Sequence, residues 1–471
     1  MPQPSSLLTA TLAASIALGL AGCATQAVHS SVEIPAQFAA APADQDEPEL
    51  AWWDGFGDPV LSRLVRRAAY GNRDVKMALE RVRAARAGET VSRSALLPNV
   101  GVSALSQYSD TGRDAAYKER SPDVRRSGVG LDVSWEVDLT GRLRAGASAA
   151  AAEALAAQYG ASGVRLLVVS DVTTNYFTLV GAQRQLETVR AIAAAHNETL
   201  RLVQARERTG LATPFDVDRA RTAALQADAA IPPLETLAAV SRHRIAVLIG
   251  DQASNAASIV PLQGDITVPP ARAGQPAALL ERRPDLLALK SQLEASNFRR
   301  QQAAAEWFPR LFLGAMFGRD TLETNKIDIG ASRFTNASAL LAMPLFNAGR
   351  TKAINEIAEA NQREALARYE DGIVRALEDV ENSLVALKDE RERADTLKMA
   401  ATSADAALGR AQSLYDRGQT DLLPLLDAHR TRLAVLMGAN DSQTQLQLAS
   451  VRLFKALGGG WQEFEPVAPT H

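Results

Sequence analysis

Hydrophobic positions along this chain follow two different periods. Leu166, Val169, Thr173, Tyr176 and Val180 step by three and four residues, and Ile373, Leu377, Val380, Leu384 and Leu387 do the same in the second half. That is the heptad spacing of a supercoiled helical seam. Between Pro98 and Gly141 the period falls to two. Val129, Leu131, Val133, Trp135, Val137 and Leu139 alternate with Gly130, Asp132, Ser134, Glu136 and Asp138, which predicts a strand with one apolar and one acidic face. Ala337, Ala339, Leu341, Met343 and Leu345 repeat the alternation less sharply, and residues 100–108 and 311–318 supply the preceding strands. Each half therefore carries a hairpin, with polar loops expected over 109–126 and 319–332.

Landmarks recur at a constant distance. Ala95-Leu96-Leu97-Pro98 is answered by Glu306-Trp307-Phe308-Pro309, Leu139-Thr140-Gly141-Arg142 by Asn347-Ala348-Gly349-Arg350, Arg208-Thr209-Gly210 by Asp416-Arg417-Gly418, and Leu248-Ile249-Gly250 by Ala456-Leu457-Gly458, at offsets of 211 and then 208 three times. Two copies of one structural unit follow. The proline-free stretches from Gly141 to Gly210 and from Gly349 to Gly418 each span 69 positions, enough for a helix roughly 100 Å long. Helices of compact domains seldom exceed about 20 residues. The returning segments of 40 positions, 210–250 and 418–458, match that length only if a second short helix, starting near Asn72 or Asp285, stacks on each. A run of amphipathic helices in a repeat protein would explain the helical seams but not the hairpins.

Four strands cannot close a barrel, and an open sheet with an apolar outer face invites aggregation. If that face meets lipid, closure is compulsory, because unpaired backbone groups in hydrocarbon cost several kcal/mol each. Three chains sharing one barrel would supply about twelve strands. The fold expected is mainly α with a membrane β-barrel: two repeats of long coiled helical hairpins and four strands per chain, closed as a trimeric barrel continued by an α-helical tunnel.

The net charge of −3, without a basic stripe, gives no reason to expect nucleic acid as a partner. The five histidines, His29, His196, His243, His429 and His471, are scattered without a metal-ligand spacing, and neither a P-loop nor a dinucleotide fingerprint is present. No catalytic residues, metal or cofactor are expected, so a partner would have to supply the energy for any transport. The apolar stretch 7–22 is shorter than the roughly 20 residues of a spanning helix and ends Leu20-Ala21-Gly22-Cys23, with the only cysteine of the chain. It reads as a signal peptide over 1–22, although no Lys or Arg precedes it. The ending resembles the lipobox of bacterial lipoproteins, which would make Cys23 the acylated first mature residue, held to a leaflet by its acyl chains. Ala24 after it leaves an outer-membrane destination open.

Further motifs are Trp52-Trp53-Asp54-Gly55-Phe56-Gly57-Asp58-Pro59, Asn72-Arg73-Asp74-Val75, Leu279-Leu280-Glu281-Arg282-Arg283-Pro284-Asp285, Pro344-Leu345-Phe346-Asn347-Ala348-Gly349-Arg350 and Leu425-Leu426-Asp427-Ala428. With these the chain resembles the outer-membrane factor family, and within it the lipoprotein branch paired with resistance-nodulation-division pumps. The resemblance implies a passive exit duct for small molecules: a homotrimer in outer-membrane lipid that works with a periplasmic adaptor protein and an inner-membrane pump. A duct for type I protein secretion shares the architecture but usually lacks the lipid anchor; a coiled-coil envelope scaffold is the other reading. The divisions expected are a signal peptide 1–22, a lipid-anchored and equatorial segment 23–71, a first repeat 72–250, an equatorial linker 251–275, a second repeat 276–458 and a tail 459–471. Within the repeats, hairpins are expected over about 99–140 and 310–347 and long helices over about 142–209 and 350–417. Trp52, Trp53 and Trp461 are expected to pack in the equatorial belt.

Function is expected at the two helical turns, which the resemblance places at the periplasmic end against the adaptor. Gly210, Leu211, Thr213 and Pro214 form one candidate contact tip, and Gly418, Gln419, Thr420 and Leu422 the other. Glycine suits a left-handed turn, and Pro214 can open the next helix. Threefold symmetry would set Asp216, Asp416 and Asp421 in rings of negative charge around an aperture, with Arg417 as an ion-pair latch. Asp216 and Asp421 also suit the first turn of a helix by its dipole. If the valines of the acidic strand face lipid, Asp132, Glu136 and Asp138 line the lumen and favour cations, unless they pair with neighbouring arginines.

Overall fold

The computed structural model describes residues 28–40, 47, 49–118, 120–262, 264, 266–270, 272–324 and 327–464. The expected signal peptide and Cys23 lie outside the described residues, as do positions 465–471 of the tail. In the first half, helices α1 (Pro59–Gly71) and α2 (Arg73–Ser94) lead to strands β1 (Asn99–Ser109) and β2 (Val124–Val137). Helices α3 (Arg142–Arg208), α4 (Pro214–Ala229) and α5 (Ile231–Leu248) follow. The second half runs α6 (Pro284–Ala304), β3 (Arg310–Thr324), β4 (Ile327–Ala342), α7 (Arg350–Asp416) and α8 (Leu422–Ala456). Helices α3 and α7 each hold 67 residues, about 100 Å of helix. Each starts after a left-handed glycine, Gly141 (φ 80°) or Gly349 (φ 87°), and ends before another, Gly210 (φ 78°) or Gly418 (φ 70°).

The first returning segment, expected as one helix, is two. Helix α4 stops at Ala229 because Pro232 and Pro233 follow at the start of α5, where a missing N–H is tolerated. Helix α8 has its only proline, Pro424, in its first turn and runs 35 residues without a break.

The chain divides into two compact units. The first contains Arg81–Ala157 and Ala288–Glu370, and its centre is one antiparallel sheet in the order β1-β2-β3-β4. Register places Val102, Leu131 and Phe317 in one row and Val100, Val133 and Ala315 in the next, so the apolar faces of the strands coincide. On the opposite face Ser103, Gly130, Gly318 and Phe334 share a row. The Phe334 ring lies over both glycines: a Cβ on Gly318 would come 2.5 Å from the Val129 carbonyl oxygen and 2.6 Å from the Phe334 Cζ, so no larger residue fits without moving backbone as well as ring.

Two expectations are corrected in this unit. The second hairpin loop is far shorter than 319–332, because β3 runs to Thr324 and β4 begins at Ile327. The polar residues taken for loop are satisfied across the strands: Arg126 donates to Asp320, Ser332 donates to Asp320, and Ser127 and Thr321 share a hydroxyl contact at 2.8 Å. The strands also end early, at Val137 and Ala342, which leaves Leu139, Met343 and Leu345 outside the alternating pattern.

The second unit contains Val32–Glu80, Gln158–Leu287 and Asp371–His471. Its core combines aliphatic residues with an aromatic cluster: Trp52 stacks on Phe454 with ring centres 5.2 Å apart, Trp53 on Phe464 at 5.4 Å, and Phe56 packs against Phe177 at 4.7 Å. Trp52 Nε1 donates to the Gly459 carbonyl and Trp461 Nε1 to the Arg282 carbonyl, which fastens the N- and C-terminal segments to the unit. Asp58 accepts from the Val60 and Leu61 amides, capping α1, and from the Tyr176 hydroxyl of α3. Leu166, Val169, Thr173, Tyr176 and Val180 of α3 are all buried, as are Ile373, Val380, Leu384 and Leu387 of α7.

Candidate functional site

The two turns that join α3 to α4 and α7 to α8 close by the same device. Leu211 N donates to Arg206 O at 2.8 Å and Gly210 N to Glu207 O; Gln419 N donates to Leu414 O at 2.9 Å and Gly418 N to Tyr415 O. These bonds satisfy carbonyls that a helix end leaves without partners, and they require the left-handed residue that glycine supplies. The turns then pack together: Val203, Val217, Ala220, Tyr415, Leu422 and Leu425 form one small core, and the Arg206 guanidinium lies 4.2 Å above the Tyr415 ring. Leu211, Phe215 and Leu423 stay exposed at the rim.

A groove of about 740 Å³ at these turns is lined by Asp216, Asp416, Arg417 and Asp421, together with Leu211, Gly418, Thr420 and Leu422. The four candidate gate residues are thus brought together within one chain, but their surroundings differ. Asp216 is committed to helix α4. Its carboxylate accepts from Thr213 N at 2.9 Å and Thr213 Oγ1 at 2.7 Å while Thr213 Oγ1 accepts from Asp216 N, a reciprocal cap. The Thr213 amide and then its hydroxyl hold the Asp216 carboxyl below the usual carboxylate range. Asp416 accepts from Gln412 Nε2 at 2.8 Å. Asp421 stands at the N-cap of α8 without a side-chain capping bond. Arg417 makes no ion pair among the described residues within the chain, so the expected latch is absent from the single protomer.

The strand acids separate as well. Glu136 is held by Arg142, whose Nη2 lies 2.8 Å from both carboxylate oxygens. Asp138 lies beyond the end of β2 and accepts from the Leu143 and Arg144 amides and from Arg144 Nε, so it caps α3. Both charges are spent on the junction between strand and helix, where the sequence places Arg142 and Arg144 one turn ahead. Asp132 alone remains on the polar face without an ion pair among the described residues, opposite Gly101 and Met316.

Arg206, Tyr415, Phe215 and Arg219 contribute to the tips without having been singled out, and Arg219 lies 5.5 Å above the Phe215 ring. An aromatic residue immediately before a helix-ending Asp-Arg-Gly was the available signal for Tyr415. His196 of α3 and His429 of α8, far apart in sequence, lie with ring centres 5.0 Å apart near the same end. Burial lowers the pKa of both, and with His196 and Arg432 adding to burial His429 falls to about 4. Among the described residues no group of three or more metal-ligating side chains occurs, and no helix is long and apolar enough to cross a membrane.

Paired 67-residue helices, one four-stranded sheet with a common apolar face and two packed turns define the protomer of a TolC-like outer-membrane channel. The chain belongs to the outer membrane efflux protein family, whose profile it matches over residues 64–251 and 276–459, one stretch in each repeat. It is 32% identical over 416 residues to outer membrane protein OprJ of Pseudomonas aeruginosa, covering 88% of this chain and 87% of the relative. It is 30% identical over 462 residues to the pyoverdine export outer membrane protein OpmQ of the same organism, covering 96% of each. The solved outer-membrane channel OprN superposes with a TM-score of 0.85 at 30% identity, over 92% of this chain and 98% of that one. The protein is an outer-membrane efflux channel, and its sheet is one chain's share of a membrane barrel.

Proposed function

We propose that this protein is the passive, trimeric exit duct of a tripartite pump that exports small molecules, coupled through a periplasmic adaptor to a resistance-nodulation-division transporter. The observation that carries this reading is the joint packing of the two turns at the ends of the long helices, a compact tip with exposed Leu211, Phe215 and Leu423. Such a tip offers an adaptor an apolar surface framed by charge. Cys23 serves as the lipid attachment site, with 1–22 removed. Supporting it, Ser31, eight residues later, donates from its amide and hydroxyl to Glu370 of α7, so the mature N-terminus would run along the protein. The anchor favours small-molecule efflux over type I protein secretion, and a relative named for pyoverdine export fits small cargo.

Deleting the gene is expected to raise susceptibility to a set of drugs, dyes, metals or siderophores, and the adaptor is expected to co-purify with the trimer. Unchanged accumulation of every compound together with blocked secretion of a protein would sink the reading. At the tips, the adaptor opens an iris in which Asp416, Arg417 and Asp421 of three chains meet. Single-channel conductance that does not change on Asp416→Ala or Arg417→Ala would remove these residues from the gate. In the barrel, Asp132 of each chain gives a ring that favours cations, and an anion-selective reversal potential would contradict it.

A further inference from the structure

We propose that His196 and His429 form a binding site for a divalent transition-metal ion that takes imidazole nitrogen, one per protomer, tying α3 to α8 behind the tip. Both side chains are more than nine-tenths buried, at 5% and 7% exposure. Among the described residues His196 Nδ1 and His429 Nε2 have no hydrogen-bond partner, and neither ring bonds to the other. A buried nitrogen without a partner is costly, and two such atoms on adjacent rings call for a shared one. The ring centres are 5.0 Å apart and the planes inclined at 47°. Two imidazoles on one tetrahedral ion, with metal–nitrogen bonds of about 2.0–2.1 Å, place their ring centres roughly 5 Å apart.

Imidazole suits zinc, copper and nickel, whereas calcium and magnesium demand oxygen ligands. A groove of about 500 Å³ opens onto His196, with Asp218, Asp427, Arg219 and Arg430 on its walls. In the proposed site this groove is the route by which an ion and its remaining water ligands reach His196. Asp218 and Asp427 are paired with Arg221 and Arg430, so the walls carry both signs of charge. His196 lies about 18 Å of helix before the end of α3. A metal bridge there would link the two helical hairpins near their turns without touching the turns themselves.

The test uses the untagged, chelator-washed trimer in detergent with zinc alone as probe. About one zinc per protomer should remain after gel filtration, with X-ray absorption showing imidazole scattering at about 2.0 Å. His196→Leu and His429→Leu should each weaken binding at least about tenfold, while His243→Leu should leave it unchanged. Each leucine removes an unpartnered nitrogen, so the metal-free variant trimers should melt no lower than the parent. If either fails to assemble, His196→Gln and His429→Gln keep the polarity and should show the same loss. Binding that survives both substitutions, absorption spectra without imidazole, or no binding below about 100 µM would each overturn the proposal.

Discussion

Arg208-Thr209-Gly210 and Asp416-Arg417-Gly418 close their long helices with equivalent backbone bonds and equivalent left-handed glycines, yet the helices that leave them start differently. Helix α4 opens with Thr213 and Asp216 capping each other and Pro214 in its first turn, which satisfies the free amides there. Helix α8 opens at Asp421 with no side-chain cap, and Pro424 simply removes one of the amides that would need a partner. Both helix ends are thus held alike, but one helix start is fastened and the other is free. Under the iris proposed above, an uncapped helix start changes conformation at lower cost, so the turn carrying Asp416, Arg417 and Asp421 is the one to move.

Strain common to both turns should not distinguish them. Gly210→Val and Gly418→Val place a branched side chain at a left-handed position, which costs about 1–2 kcal/mol. Amide exchange around 209–213 and 417–421 should accelerate by similar factors in the two variants; a large effect at only one turn would break the equivalence. Next in size, Thr213→Ala removes the cap of α4 and should cost about 1 kcal/mol, read as faster exchange in its first turn. Asp421→Ala, its counterpart, has no cap to lose and should stay within about 0.5 kcal/mol. Equal effects would show that Asp421 caps α8 after all.

Acid should separate the tips in the same sense. The carboxyl of Asp216 titrates below its unfolded value of 3.8, so its contribution to stability is full above that pH and is lost as pH falls through the lower folded value. Exchange in the first turn of α4 should therefore rise below about pH 4, and Thr213→Ala should flatten that rise. A rise of the same size in the variant would remove Thr213 as the cause. The smallest effect belongs to Pro424→Ala, which restores one amide to an exposed first turn. It should shift local stability by less than about 0.5 kcal/mol, provided water satisfies the new group.

Much of the molecule was legible because its signals are local. Long helices follow from proline-free heptad runs bounded by glycines, and the strand faces from period-two alternation. Ends that depend on distant partners were not legible. Residues 319–324 read as loop because Asp320 is charged, and only Arg126 and Ser332, brought beside it by strand pairing, make it a strand residue. For Glu136 and Asp138 alternation left two readings open, a luminal acidic face or pairing with neighbouring arginines, and the ion pairs to Arg142 and Arg144 show the second. The break between α4 and α5 was written in Pro232-Pro233, but the match in length to the unbroken second return masked it.

By itself the sequence determined the duplication, the two 100 Å rods, the six left-handed glycines at equivalent places, the hairpins and the membership of an outer-membrane channel family. Each follows from residues within a turn or two of one another, where propensity and steric limits decide. The tertiary structure decided that Asp320 meets Arg126, that β2 pairs with β3 across α3, α4, α5 and α6, and that His196 meets His429. Those outcomes depend on the register at which two rods lie side by side. A rod's hydrophobic stripe defines the face it buries, but its position along a partner is fixed only by the packing of both.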